Sequence, residues 1–166
     1  MPELQAGVKA PEIKLPLLDG REFSLNHARQ RGPVLVAFFK VSCPVCQFTF
    51  PYLERMYKAY GNNGKVTLVG VSQDNAKDTE AFKRGFGVTF PILLDDIAKY
   101  PASNAYKLTN VPSIFLVSPE GGIDTSIVGW SKKEMEELGR TLAEVSGALP
   151  VPIVQAGEKI PDYKPG

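Results

Sequence analysis

The chain has 166 residues, which is enough for one domain with a hydrophobic core of its own. Hydrophobic residues make up 43% of the sequence and charged residues 22%, as is typical of globular proteins. A net charge of +1 without a dense basic run gives no support to a nucleic-acid partner. Every apolar run is far shorter than the roughly 20 residues of a membrane-spanning helix, so no membrane partner is expected.

The N-terminal stretch, MPELQAGVKAPEIKL, lacks the charged region and the apolar region of a secretion signal. We therefore expect a cytoplasmic protein, or a periplasmic one if a leader has been removed. Two cysteines are too few for the disulfide framework of a secreted domain. In a reducing cytosol, a close pair of thiols indicates catalysis or metal binding.

The predicted elements begin with a β-hairpin around Asp19-Gly20, a dipeptide that suits a tight turn between two short alternating runs. The stretch HARQRG that follows is expected to be a polar connection, in which His27 is solvated. PVLVAFFK, residues 33–40, is a continuous apolar run typical of a strand covered on both faces. Apolar and aromatic residues then recur at helical spacing until Gly61 ends the predicted helix.

Strands and helices continue to alternate in the second half of the chain. KVTLVGVS predicts a buried strand, NAKDTEAFKRGFG a helix closed by a glycine, and FPILLDD a short strand. After the broken helix IAKYPASNAY come the strand PSIFLVSP and, beyond EGG, its antiparallel partner IDTSIVGW. The closing helix has Ser131 as its N-cap, with Glu134 completing a capping box. This order predicts an α/β fold with a central mixed sheet flanked by helices, in a domain over residues 1–147 that a proline-rich extended tail, 148–166, follows.

The two cysteines, Cys43 and Cys46, form a Cys-x-x-Cys motif between an apolar strand and the helix that follows it. Disulfide exchange needs a thiolate, which the free amides and the dipole of a helix N-terminus favour at Cys43. Pro44 suits the first helical turn because its missing N–H costs nothing there. Cys46 falls one turn later, close enough to attack a mixed disulfide on Cys43 and release the product. The motif therefore predicts a redox-active dithiol.

Three other uses of the cysteine pair are weaker. A structural zinc site needs four ligands, whereas the sequence has no third cysteine and its only histidine, His27, lies in a distant polar stretch. No metal site is therefore expected. A structural disulfide would close too short a loop to restrain the unfolded chain much. A pair of thiols that serve only as small buried hydrophobes is the remaining alternative.

The strand, the motif CPVC at a helix start and the later segment VPSIFLV together resemble the thioredoxin fold. The chain is more closely similar to the redoxin branch of TlpA- and ResA-type thiol-disulfide oxidoreductases, which overlaps the AhpC/TSA peroxiredoxins. This similarity rests on IKLPLLDGREFSL, VGVSQDNAKDTEAFKRGFGVTFPILLDD and NVPSIFLVSPEGGI. The resemblance covers about residues 7–147 and implies a thioredoxin fold with an N-terminal β-hairpin and an inserted helix–strand element.

The resemblance also implies further site residues. Pro112 is expected to be a cis-proline that faces the cysteines, and a trans proline is the alternative. Val111 would then offer backbone groups to an extended client chain that also passes Pro44. Asp74 falls where ResA-type proteins carry an active-site glutamate, and a carboxylate there can accept the proton of Cys46. The alternative for Asp74 is the N-cap of the following helix.

The sequence departs from the family pattern at three positions. Ser42 stands where a tryptophan usually precedes the first cysteine, and Ala37 where thioredoxins have a buried aspartate. Lys40 stands where small residues are usual. Its ammonium group can stabilise a Cys43 thiolate if it points inward, or extend into solvent.

Two enzymatic functions and one binding function fit this pattern. The first is a thiol-disulfide oxidoreductase, in which Cys43 attacks and Cys46 resolves. Its partners would be a disulfide or thiol client, protein or small molecule, and an electron donor or acceptor. We expect no cofactor beyond the cysteine pair, and a monomer or weak dimer.

The second function is a peroxiredoxin-like thiol peroxidase, in which a cysteine becomes a sulfenic acid. Peroxiredoxins carry a threonine or serine three residues before the peroxidatic cysteine, where this chain has Lys40, and an arginine on a later strand. The predicted strands at 112–118 and 123–130 contain no arginine. The third function is a non-enzymatic thioredoxin-fold binding module, against which the intact cysteine pair argues.

Overall fold

The chain folds around a mixed β-sheet in a computed structural model that describes residues 3–166. The start of the predicted domain at residue 1 lies outside the described residues. In chain order the elements are β1 (Lys14–Pro16), β2 (Glu22–Ser24), α1 (Leu25–Ala28), β3 (Val34–Phe39), α2 (Pro44–Tyr60), β4 (Thr67–Ser72), α3 (Ala76–Gly85), β5 (Ile92–Leu94), α4 (Pro101–Ala105), β6 (Ser113–Val117), β7 (Ile123–Val128), β8 (Trp130–Ser131), α5 (Lys132–Ser146) and β9 (Tyr163–Lys164).

The central sheet has five strands in the order β5-β4-β3-β6-β7. β3 and β5 both pair in parallel with β4, whereas β6 pairs antiparallel with β3 and β7. β1 and β2 form the N-terminal hairpin, and α3 with β5 forms the inserted helix–strand element. The predicted α/β thioredoxin fold with a mixed central sheet is therefore confirmed.

Helices cover both faces of the sheet, and this explains the continuous apolar sequence of β3. Leu35 and Phe39 enter the core layer that contains the apolar residues of α2 and α5. Val36 and Phe38 enter the opposite layer, which contains the apolar residues of α1 and α4. All six residues of β3 are buried as a result. Because β3 leads directly to the cysteines, the most buried strand of the fold positions the motif.

The stretch HARQRG differs from its prediction as a polar connection. Most of it is helical, in α1 and in the 3-10 turn Arg29–Arg31 that follows. The Ser24 hydroxyl caps α1 by accepting the N–H of His27, and Leu25, two residues before the start of this stretch, is fully buried. A capping serine and one buried leucine thus outweigh the polar composition of the stretch.

Residues 148–166 lie along the domain, with bends at 153–154 and a turn at 156–157. β9 pairs antiparallel with β8, the short strand that precedes α5. Nearer the end of α5, Ile153 is 4% exposed and belongs to the core layer of α2 and α5. The tail therefore contributes buried apolar surface to the domain. Among residues 3–166, no helix is both long enough and apolar enough to cross a bilayer.

Candidate active site

Cys43 is the N-cap of α2 and presents its sulfur to the start of the helix. Its backbone is extended, and its Sγ accepts the N–H of Cys46 at 3.2 Å. Pro44 occupies the first turn, where no N–H is needed. A thiolate at Cys43 would accept the same N–H and face the positive end of the helix dipole. The start of α2 thus presents a backbone N–H to the Cys43 sulfur.

Cys46 lies one turn further into the helix and is fully buried, whereas Cys43 is half-buried and Pro44 is exposed. Burial is the largest cause of a strong upward shift in the pKa of the Cys46 thiol. Its hydrogen bond with Cys43 and the negative charge of Asp74 raise this pKa further. Cys46 therefore stays protonated at neutral pH, and it needs a proton acceptor before it can act as a nucleophile.

The loop before β6 borders the cysteines. The Val111–Pro112 peptide bond is cis, the conformation that the resemblance implies. The Cys43 thiol donates a hydrogen bond to the Val111 carbonyl, with 3.5 Å between sulfur and oxygen. The next carbonyl, that of Pro112, accepts the N–H of Gly129 at 2.8 Å. The Val111 carbonyl therefore lies directly beside the Cys43 sulfur.

Asp74 follows β4 and is hydrogen-bonded to the loop between β3 and α2, which leads to Cys43. Its Oδ2 accepts the Val41 N–H at 2.8 Å, and its own N–H donates to the Ser72 hydroxyl at 3.0 Å. The N-cap of α3 is Asn75, whose side chain accepts the N–H of Asp78, so Asp74 is not the cap. The half-buried Asp74 carboxylate thus points toward the active-site loop.

Gln47 is a site residue that the sequence reasoning missed. Its side-chain amide donates to the Val41 carbonyl at 2.9 Å, while Asp74 holds the N–H of the same residue. Val41 is therefore fixed on both sides, two residues before Cys43. The only available signal was position, because a polar residue directly after Cys46 can reach back over the first helical turn.

The three departures from the family pattern have simple structural outcomes. Lys40 and Ser42 are both exposed, so Lys40 extends into solvent. Ala37 is fully buried in β3 and leaves an apolar surface where thioredoxins have an aspartate. His27 is exposed in α1. Within the described part of the chain, no group of three or more histidine, cysteine, aspartate and glutamate residues could hold a metal ion.

Comparison with known proteins gives consistent matches. The AhpC/TSA family model matches residues 6–126. The thiol-disulfide oxidoreductase ResA of Geobacillus thermodenitrificans is 33% identical over 129 residues, which cover 77% of this chain and 72% of the relative. The thioredoxin-like protein YneN of Bacillus subtilis is 32% identical over 139 residues, covering 81% and 78% of the two chains.

Solved structures match over most of the chain as well. The thioredoxin domain of a thiol-disulfide oxidoreductase from Bacteroides vulgatus superposes with a TM-score of 0.74 at 28% identity. This match covers 86% of the present chain and 99% of the other. A thiol:disulfide interchange protein from a Bacteroides species gives a TM-score of 0.71, also at 28% identity, over 87% and 92% of the two chains.

Proposed function

The chain belongs to the AhpC/TSA family and is a thiol-disulfide oxidoreductase, and we propose that Cys43 is its nucleophile and Cys46 its resolving thiol. The observation that carries this assignment is the position of the Cys43 sulfur. It lies between the N–H of Cys46 and the carbonyl of Val111, at the one thiol of the pair that is not fully buried.

The exchange proceeds in two balanced steps. The Cys43 thiolate attacks one sulfur of a client disulfide, which forms a mixed disulfide and releases the other client sulfur as a thiolate. Cys46 then gives up its proton and attacks the Cys43 sulfur, which forms the Cys43–Cys46 disulfide and releases the second client thiolate. Both client thiolates take up protons, so the client gains two electrons and the pair loses two. The reverse sequence oxidises a dithiol client.

Asp74 accepts the Cys46 proton in the second step. The carboxylate is close enough to raise the pKa of Cys46, although burial is the larger cause. Its hydrogen bond with the Val41 N–H keeps it beside the loop that leads to Cys43 and α2. A general base placed in this way contributes roughly 10²- to 10⁴-fold to the rate of the step that it assists.

The client binds along the backbone of Val111 and Pro112, beside the exposed Pro44. An extended client strand gains affinity from main-chain hydrogen bonds that any sequence can make, which suits an enzyme with more than one client. An electron donor or acceptor then reacts at Cys43 and returns the cysteine pair to its initial redox state. The enzyme acts as a monomer or weak dimer.

Trapping of mixed disulfides tests the role assignment. In a Cys46→Ser variant the first exchange still occurs and nothing resolves it, so long-lived client adducts accumulate on Cys43. Cys43→Ser is the matched control and should form no such adducts, because the remaining thiol is buried. Non-reducing gel electrophoresis and mass spectrometry of a cell extract measure both variants. Adducts on the Cys43→Ser variant alone would reverse the two roles.

A further inference from the structure

The tail returns from the end of α5 to the helix that carries the cysteines, and it is anchored there. The Glu158 carboxylate receives both Arg55 Nη atoms, Nη1 to Oε1 at 2.6 Å and Nη2 to Oε2 at 3.0 Å. The Arg55 guanidinium also donates to the Ile153 carbonyl at 2.8 Å and stacks over the Tyr52 ring. The middle of the tail is therefore held on α2 by a bidentate ion pair between Arg55 and Glu158.

The ion pair at Glu158 is charged at neutral pH. The hydrogen bonds from Arg55, and then the N–H of Gln155, lower the pKa of Glu158 to about 2. Because this pKa is lower in the folded state, the contribution of the pair is complete above the ordinary value of 4.5. It is lost as the pH falls through about 2. The anchor therefore holds throughout the pH range in which thiol exchange operates.

Beyond this anchor the tail runs past β8 and the N-terminal half of α2. The Trp130 indole N–H donates to the Pro161 carbonyl at 2.9 Å, after which β9 pairs with β8. The Lys164 ammonium lies 5.1 Å from the centroid of the Phe48 ring. Phe48 follows Cys46 by two residues in α2. The tail thus approaches the N-terminal half of α2 from the side of β8.

The tail reaches the backbone that faces Cys43. The Asn110 side chain donates to the Gly166 carbonyl at 3.0 Å. A Cβ atom on Gly166 would lie only 2.7 Å from the Val111 carbonyl oxygen, the same oxygen that accepts the Cys43 thiol. A Cβ atom on Gly129, whose N–H binds the Pro112 carbonyl, would lie 2.5 Å from the Lys164 carbonyl oxygen. The backbone of the tail therefore lies directly against the backbone of Val111 and Gly129, beside the Val111–Pro112 peptide bond.

We propose that residues 163–166, the terminal segment, determine which clients reach Cys43 by occupying one flank of the client-binding backbone. This inference rests on the proposed function. A small disulfide reaches the half-buried Cys43 sulfur without contacting the segment. A protein strand that pairs along Val111 and Pro112 needs the volume that Gly166 and Lys164 fill, and it must displace them.

The contacts of the terminal segment allow such displacement. The stable part of the tail is upstream, at the buried Ile153 and the Arg55–Glu158 ion pair. By contrast, β9 has two residues, and Tyr163 is 62% exposed. Few buried contacts and an exposed strand are the features of segments that open locally at low free-energy cost. Residues 163–166 can therefore detach from the domain while the upstream part of the tail stays bound.

Two variants release the terminal segment and leave both cysteines unchanged. Deletion of residues 163–166 removes it, and Gly166→Val forces it away because the clash is with the Val111 backbone. Lys159→Ala, an exposed substitution in the same tail, is the matched control. Second-order rate constants are measured for each protein with oxidised glutathione as the small disulfide and insulin as the protein disulfide, and circular dichroism monitors folding.

Both release variants should reduce insulin roughly fivefold faster or more, the factor that about 1 kcal/mol of displacement cost represents. Their rates with oxidised glutathione, and both rates of Lys159→Ala, should equal those of the unchanged chain. An insulin rate that stays constant or falls, or equal acceleration with both disulfides, overturns the inference and leaves the oxidoreductase function intact. A chain that neither reduces these disulfides nor oxidises a dithiol in the reverse reaction, with or without the segment, overturns the proposed function instead.

Discussion

Replacing Ile153 with alanine tests whether residues 148–166 belong to the folding unit. The Ile153 side chain is 4% exposed and packs in the core layer of α2 and α5. Loss of such a side chain removes buried apolar surface and leaves a cavity, at a cost of about 2–4 kcal/mol in the free energy of unfolding. Val151, which is 50% exposed, provides the control, because Val151→Ala should change this free energy by less than about 0.5 kcal/mol.

Gly139 of α5 lies directly against Ile153 and allows a second, opposing substitution. A Cβ atom at Gly139 would lie 2.9 Å from Ile153 Cγ1, so Gly139→Ala alone overpacks this contact. Alanine otherwise favours a helix over glycine by about 1 kcal/mol, and Ile153→Ala removes the clashing atom. The double variant should therefore be more stable than the sum of the single effects predicts, by about 1–2 kcal/mol.

Urea unfolding measured by two probes shows whether residues 148–166 unfold together with the rest of the domain. Trp130 is the sole tryptophan, and its indole N–H binds the Pro161 carbonyl, so its fluorescence reports on the tail. Far-ultraviolet circular dichroism reports on the domain, and coincident transitions show that the two unfold together. The reasoning is refuted if Ile153→Ala leaves the unfolding free energy unchanged, or if the fluorescence transition clearly precedes the dichroism transition. Either result would make the tail a separately detachable segment.

Three further predictions concern the chemistry. A short pulse of iodoacetamide at neutral pH should alkylate Cys43 first, because Cys46 is buried with a raised pKa, and prior labelling of Cys46 would contradict this. Asp74→Asn should slow resolution of a mixed disulfide by roughly 10²-fold or more in stopped-flow assays, with little effect on the first attack. Loss of negative charge alone would lower the pKa of Cys46 and accelerate the step, so acceleration excludes the base role. Hydrogen peroxide should oxidise Cys43 no faster than an unassisted thiolate, because Lys40 replaces the activating hydroxyl. A rate orders of magnitude higher would favour the peroxidase.

The sequence predicts the elements around the motif well because strong local signals agree there. The apolar run of β3 gives a strand, and Cys43 with Pro44 gives a helix start, as the structure has them. The predicted cap at Ser131 is also confirmed, since its hydroxyl accepts the N–H of Glu134. In each case, residues close in sequence make the contacts that define the element.

The course of the tail could not be predicted, because its contacts are distant in sequence. Glu158 binds Arg55 and Gly166 approaches Val111, and none of these pairs leaves a periodic pattern. The proline-rich composition of the tail indicates an extended chain, but it does not show along which part of the domain the tail runs. Only the three-dimensional arrangement shows that α5 ends where the tail can return along α2.

In the proposed mechanism, Ala37 and Asp74 together determine how a proton can leave the buried thiol. Thioredoxins, which the chain resembles, have an aspartate at the β3 position that Ala37 occupies, and here that position is apolar and fully buried. Asp74 instead approaches from the loop after β4 and is half-buried. A proton that moves from Cys46 to Asp74 therefore reaches a carboxylate in contact with solvent and can leave without a path through the core. In the proposed mechanism, burial keeps Cys46 protonated until the mixed disulfide forms, and the solvent-accessible side of Asp74 then releases the proton that the second step produces.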